Sequence, residues 1–115
     1  MDEPALLVHW ERTVGLVLDR TGRFPRSARH TFAARIDARA LDVLEQLAVA
    51  RFAKGERRLN LLQRADADLA VLRVLVRLAH TRQLLPTGAL EELSVAFSEA
   101  GRMLGGWQVW ARAQA

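Results

Sequence analysis

The sequence predicts an all-α protein, an antiparallel up-down-up-down four-helix bundle that assembles into a homo-oligomer. Apolar residues recur at spacings of three and four in four segments, and none alternates with the period of a strand. Three short connectors marked by Gly or Pro separate the segments, and short connectors make successive helices antiparallel neighbours. The stretch from Leu59 to Leu85 contains neither Gly nor Pro over 27 residues and makes a helix of roughly 40 Å. A chain of 115 residues fits one domain and can bury a core without disulfides or metals.

The first helix is expected from about Pro4 to Thr21. Asp2 and Glu3 complement its positive end, and Pro4 suits a first turn. Leu6, Leu7, Trp10, Val14, Val17 and Leu18 form its inner stripe, and Gly22 ends it. Phe24-Pro25-Arg26-Ser27 is a connector, because proline disfavours helix at the residue before it and permits a helix after it. The second helix is expected over 26–53, with Phe32, Ile36, Ala40, Val43, Leu44 and Leu47 facing inward and Arg35 and Arg39 sharing one face. Lys54-Gly55 closes it, with glycine past the end.

The third helix, over about 56–84, buries Leu59, Leu62, Leu69, Leu72, Val76 and Ala79. Val71, Val74, Leu75 and Leu78 widen its apolar arc to roughly 200°, against the ~100° that a surface helix needs. Such a helix packs on two sides, and in a small bundle the second side meets another subunit. The alternative is a central helix with Leu and Val in excess. Arg73, Arg77, His80 and Thr81 are left on a narrow polar strip. Two guanidinium groups one turn apart repel by a few tenths of a kcal/mol, roughly. Either a carboxylate such as Asp37 or Glu99 offsets this internally, or the strip forms a band of positive potential when repeated in an oligomer.

Leu85-Pro86-Thr87-Gly88 breaks the third helix, and the fourth is expected over 87–111. Thr87 is its candidate N-cap, Glu91 and Glu92 lie near its first turn, and Leu90, Leu93, Phe97, Ala100 and Leu104 face inward. Gly101, Gly105 and Gly106 each cost about 1 kcal/mol relative to alanine inside a helix. Two readings fit them. Gly105-Gly106 ends the helix, or the helix continues and Gly101 with Gly105 forms a flat track for close approach of another backbone. Trp107 and Trp110, near the chain end, favour continuation, because such large side chains are seldom left unpacked.

The formal net charge is +4, and of 17 basic residues all but Lys54 are arginine. Residues 23–82 hold thirteen basic and six acidic side chains, a net of +7, whereas the two ends together are −3. Arginine's planar donor fork suits phosphate and its face stacks on bases. A basic middle therefore points to nucleic acid or an acidic protein surface, against a solvated arginine face as the structural alternative. With no cysteine, there is no disulfide framework, thiolate nucleophile or Cys-based zinc site. No apolar run approaches the length of a membrane span, and the acidic N-terminus lacks a signal-peptide shape, so a cytoplasmic location is expected. His9, His30 and His80 lie on different segments without metal-ligand spacing. Ser27, Ser94 and Ser98 lack a nucleophile motif, and Asp66 and Asp68 point to different helix faces. No enzyme activity and no cofactor are expected.

Three stretches, FPRSARHTFAARID, LAVLRVLVRLAHTRQLL and EAGRMLGGW, in this order and spacing, resemble the accessory variability protein (Avd) of diversity-generating retroelements. Avd belongs to a wider four-helix-bundle family that includes the 23S-rRNA intervening-sequence proteins. The resemblance covers about Arg23 to Trp107. It implies a barrel-shaped homopentamer with a basic surface that binds the element's reverse transcriptase, associates with nucleic acid and supports mutagenic retrohoming. It also implies that Arg73 and Arg77 match the paired arginines of the third helix, Arg26 and Arg29 the basic positions of the Phe-Pro turn, and Arg102 the arginine of the Gly-Trp motif. The chain departs from the pattern at Phe32-Ala33-Ala34, where relatives often have leucine, glycine and glutamine, and in carrying arginine or neutral residues where relatives have lysine.

The expected function is thus a non-enzymatic adaptor coupling a reverse transcriptase to template RNA or an RNA–cDNA hybrid, with neither a membrane nor a small-molecule substrate as partner. The alternative is a structural homo-oligomeric scaffold that binds only protein. Candidate contacts to nucleic acid or polymerase are Arg26, Arg29, Arg35, Arg39, Arg57, Arg58, Arg73 and Arg77. Candidate oligomer contacts are Val74, Leu78, Gly101, Gly105 and Trp107.

Overall fold

The structure, a computed structural model, describes residues 4–114. Asp2 and Glu3 lie outside the described residues. Four helical rods are present and no strand occurs among the described residues. Helix α1 is Ala5–Thr21. Helix α2 is continuous through Arg26–Ala28, a π-helical turn Arg29–Ala33 and Ala34–Ala50. Helix α3 is Gly55–Thr81 and helix α4 is Thr87–Gln114.

Each helix packs against its neighbours in a square, α1 on α2 and α4, and α3 on α2 and α4. Cross-helix contacts give the antiparallel sense. Arg58 near the start of α3 meets Ala50 at the end of α2, while His80 near the end of α3 meets Thr87 at the start of α4. The bundle measures 45 × 23 × 21 Å. Trp10, Phe97, Ile36, Leu47, Leu62, Leu72, Leu93 and Leu104 are fully buried at its centre. Trp10 packs at 5.9 Å between ring centroids on Phe97, and its indole N–H donates to the Ala40 carbonyl at 2.9 Å. The bond satisfies the only polar atom of a side chain otherwise suited to a core. No helix is long and apolar enough to cross a membrane among the described residues.

The inner stripes agree with the expected spacing, and most departures occur at helix ends. Leu18, expected inside, is exposed, and Phe32, Leu44, Leu59 and Leu90 are half-buried at the core's edge. The second helix is not a uniform α-helix. Its buried positions run 28, 33, 36, 40, 43, 47 and 50. All steps but the first are three or four residues. The first is five, which would turn Ala33 well away from Ala28 at about 100° per residue. The π turn absorbs the extra residue, with the Ala34 N–H reaching the Arg29 carbonyl five residues back.

That helix ends at Ala50, not 53, and Gly55 does not terminate it. Gly55 instead opens α3 with φ +58, a left-handed conformation that a side chain resists. Helix α3 ends at Thr81, three residues early. Gln83 adopts φ 64, its N–H bonds to the His80 carbonyl, and the Leu84 N–H bonds to the Ala79 carbonyl, both at 2.9 Å. This is a Schellman stop with glutamine where glycine is usual. Pro4 precedes the first turn of α1 and sits at its N-cap. Thr87 is the first residue of α4 and its hydroxyl lies 3.1 Å from His80 Nε2. The Pro86 carbonyl accepts the first bond of α4, from the Leu90 N–H, which places Pro86 at the cap position.

Candidate interaction surface

The outer face of α3 carries the excess apolar residues that its sequence foretold. Val71, Val74 and Leu78 are exposed, with Val74 51% and Leu78 46% accessible, and the small Ala67 and Ala70 beside them are exposed as well. Stepping by about 100° per residue, these five gather on one side of α3 and run roughly 17 Å along it. They are outside the monomer core, which takes Leu62, Ala65, Leu69, Leu72, Val76 and Ala79 from the opposite side of the helix. Leu75 is half-buried and packs against the core's edge.

Arg73 and Arg77 border this strip on the flank toward α4, but their environments differ. Arg73 is half-buried. Its guanidinium donates to the Phe97 carbonyl at 3.0 Å and to Ser98 Oγ at 3.4 Å. The internal partner is therefore not a carboxylate. Asp37 accepts from Thr21 Oγ1 at 2.6 Å, and Glu99 holds Arg102. Arg77 is exposed, and no described side chain pairs with its guanidinium.

The other basic candidates divide the same way. Arg39 donates to Asp68 at 2.6 Å, and Gln46 donates to the other oxygen of that carboxylate at 2.8 Å. Arg58 donates to the Ala50 and Arg51 carbonyls at 2.9 and 3.1 Å, capping the C-terminal end of α2, and its guanidinium lies 5.2 Å from the centre of the Trp110 ring. Both are structural cations. Arg26, Arg29, Arg35 and Arg57 are exposed, and their side chains make no hydrogen bond or ion pair with another described residue. Arg26 and Arg29 lie at the end of the bundle where α2 begins, and Arg57 lies at the opposite end, where α3 begins. With Arg35 and Arg77, five arginines remain available to an external anion.

Helix α4 continues unbroken through Gly105 and Gly106. Gly101 has an internal role, since a Cβ there would sit 3.1 Å from the Arg73 guanidinium. It leaves room for that side chain against α4. Gly105 and Gly106 have no such neighbour, and a Cβ on either meets open space. Gly105 lies one turn from Gly101, on the same helix face as Gln108, which donates to the Leu62 carbonyl at 3.2 Å. The α3-facing edge of α4 thus has a shallow unfilled stretch between two contacts. Trp107 is half-buried at the core's edge and lines an apolar recess with Leu6, Met103 and Trp110.

Arg102 donates through Nε to Glu99 at 3.1 Å and through Nη2 to the same carboxylate. These bonds hold Glu99 below the ordinary carboxylate pKa and raise Arg102 above its ordinary value. The linkage favours the fold above the unfolded Glu99 pKa and is lost as pH falls through the lowered one. Of the histidines, His9 donates from Nε2 to the Ala96 carbonyl at 2.9 Å, tying α1 to α4. No cluster of His, Asp or Glu with metal-binding geometry occurs among the described residues.

Sequence reasoning missed one arrangement, a cleft where the turn after α1 meets the turn between α3 and α4. Arg20, Arg23, His80, Gln83 and Thr87 line it. Its signal lay in two connectors that an antiparallel bundle necessarily stacks at the same end.

No curated protein and no solved structure matches the chain significantly. A sequence model described as bAvd-like matches residues 8–110, nearly the whole of the four-helix bundle just described. The chain therefore belongs to the bAvd-like family, and that membership supports an accessory role of the Avd type.

Proposed function

We propose that this protein is a non-enzymatic accessory subunit that binds the reverse transcriptase of a diversity-generating retroelement together with its template RNA or RNA–cDNA hybrid. It acts as a homo-oligomer, in the family's pentameric arrangement, and supports mutagenic retrohoming. The observation that carries the reading is that five of the eight candidate arginines, Arg26, Arg29, Arg35, Arg57 and Arg77, are exposed and have no side-chain partner among the described residues. Free guanidinium groups on a rigid bundle suit phosphate or an acidic polymerase surface. Family membership supports the accessory role.

Assembly is supported by a separate pair of features. Val71, Val74 and Leu78 expose an apolar strip beside Arg77. Gly105 and Gly106 weaken α4 without an internal packing reason, as close approach of a second chain would require. Repetition of Arg77 around a ring multiplies a weak contact into a strong one.

Co-expression with the reverse transcriptase encoded beside it tests the reading. The expected result is a co-purifying complex that Arg57→Ala plus Arg77→Ala weakens at least tenfold, about 1.4 kcal/mol. A folded variant that retains full affinity for both polymerase and RNA removes the arginines from the function. Loss of polymerase binding alone, with no RNA affinity in the parent protein, identifies the protein-only scaffold instead.

A further inference from the structure

The cleft at the α1 and α3–α4 turns is lined by none of the five arginines on which the proposed function rests. Its volume is about 390 Å³. That is enough for a small ligand, since such pockets begin at about 300 Å³. Arg20 and Arg23 come from the end of α1, and His80, Gln83 and Thr87 from the other wall. Leu84 to Pro86 supply apolar surface between them.

We propose that this cleft binds a phosphate monoester, either the 5′-phosphate terminus of a nucleic-acid strand or a free mononucleotide. Four observations converge on it. Arg23 is exposed and its side chain pairs with no other described residue. Arg20 is held only loosely, by Glu92 at 3.4 Å across an exposed pair. Such a pair exchanges readily for a better anion. Helix α4 begins at the cleft, and its first backbone bond runs from Leu90 to Pro86. The N–H groups of Thr87, Gly88 and Ala89 therefore precede the helical ladder and add the positive end of the helix to the two guanidinium groups. Gln83 holds a left-handed φ of 64, where glycine makes the same turn without strain. Its side chain lines the cleft and offers an amide donor that glycine would lack.

A structural alternative assigns Arg20 and His80 to the negative ends of α1 and α3, whose last turns they occupy. It does not account for Arg23, which follows the helix end, and it predicts a loss of stability without a change in ligand binding. The inference deepens the nucleic-acid reading in its first form and rests on that reading only there.

Fluorescence anisotropy with a labelled single strand bearing 5′-phosphate or 5′-hydroxyl, with inorganic phosphate and a nucleoside 5′-monophosphate as competitors, tests it on the full chain. The expected result is at least threefold tighter binding of the phosphorylated strand, lost in Arg20→Gln plus Arg23→Gln with the helical circular dichroism intact. Glu92→Gln, which frees Arg20, should tighten phosphate binding at least twofold and keeps the inference testable if the double variant misfolds. Binding of the monophosphate without preference between the strands identifies the free nucleotide as ligand. Equal binding of both strands with no binding of phosphate or monophosphate overturns the inference while leaving the nucleic-acid reading intact. Monophosphate binding by a protein with no affinity for any strand upholds the cleft and removes the nucleic-acid reading. A lower melting temperature in the double variant with unchanged phosphate affinity also overturns the inference, in favour of the helix-end role.

Discussion

Arg73 and Arg77 are one turn apart and alike in sequence, yet they should fail in opposite ways when truncated. Arg73→Ala removes a charged donor from the Phe97 carbonyl at 3.0 Å and from Ser98 at 3.4 Å. A hydrogen bond involving a charged group contributes about 1.5–3 kcal/mol when well sheltered. Here the donor is half-buried and the second contact is long. The Phe97 carbonyl also lies within α4 and keeps its helical partner. The expected loss is therefore about 1 kcal/mol, a fall of about 4 °C in the melting temperature of a domain this size. Arg77→Ala removes an exposed side chain with no internal partner and should change stability by less than about 0.5 kcal/mol. Thermal unfolding followed by circular dichroism, at one protein concentration because assembly couples to stability, separates the two. RNA binding should show the reverse order, with Arg77→Ala the weaker binder. Equal melting temperatures for the two variants, or a binding defect confined to Arg73→Ala, would refute the division of these arginines into structural and free.

Four further outcomes follow from the geometry. Gly101→Ala should stabilise by nearly the full alanine advantage, about 1 kcal/mol, when Arg73 is already alanine, and by clearly less when Arg73 is present, because its Cβ meets the guanidinium at 3.1 Å; a double-mutant cycle by chemical denaturation reads the difference, and additivity would sink it. Gln83→Gly should raise stability by about 0.5–1 kcal/mol, since it relieves a left-handed φ of 64 at the α3 stop, and a loss on urea denaturation would contradict the assignment. Trp10→Ala should cost about 3–5 kcal/mol through cavity formation, with little added at the Ala40 carbonyl, which keeps its helical partner, so a variant that melts within a few degrees of the parent would remove Trp10 from the centre of the core. Gly105→Leu should abolish assembly in light scattering while preserving the helical signal if that edge receives another chain, whereas an intact oligomer would show the glycine to be dispensable there.

The helices and their inner faces were legible because periodic burial dominates this chain. Trp10, Ile36, Leu47, Leu72 and Phe97 all occupy the core positions that their spacing predicts. The exposed strip of Val71, Val74 and Leu78 was legible for the same reason, as an apolar arc too wide for one neighbour. Helix ends were less so. The α3 stop uses Gln83, which has no helix-terminating preference, and a hydrogen-bond pattern that only the fold reveals. The π turn at Arg29–Ala33 leaves one trace, a five-residue step between Ala28 and Ala33, and alanine is too small to mark a face by itself.

Among the basic candidates, residue type could not separate free from engaged arginines. Arg39 and Arg35 are four apart on one helix, and only the approach of Asp68 from α3 distinguishes them. Arg58 and Arg57 are adjacent, and only the open carbonyls at the end of α2 draw one inward. These are long-range contacts, which helical periodicity does not encode.

Binding of labelled template RNA across a series of salt concentrations tests the central claim most directly. Log affinity falls with log salt by about 0.7 per phosphate contacted on a single strand. Several free arginines acting together predict a slope of at least about −2. Arg77→Ala should make that slope shallower by about 0.7 or more, the larger change arising if several copies contact one strand. Arg39→Ala, which removes an arginine already paired with Asp68, should leave it unchanged. A slope near zero for the parent protein, or the same slope in Arg77→Ala as in the parent, would contradict the account.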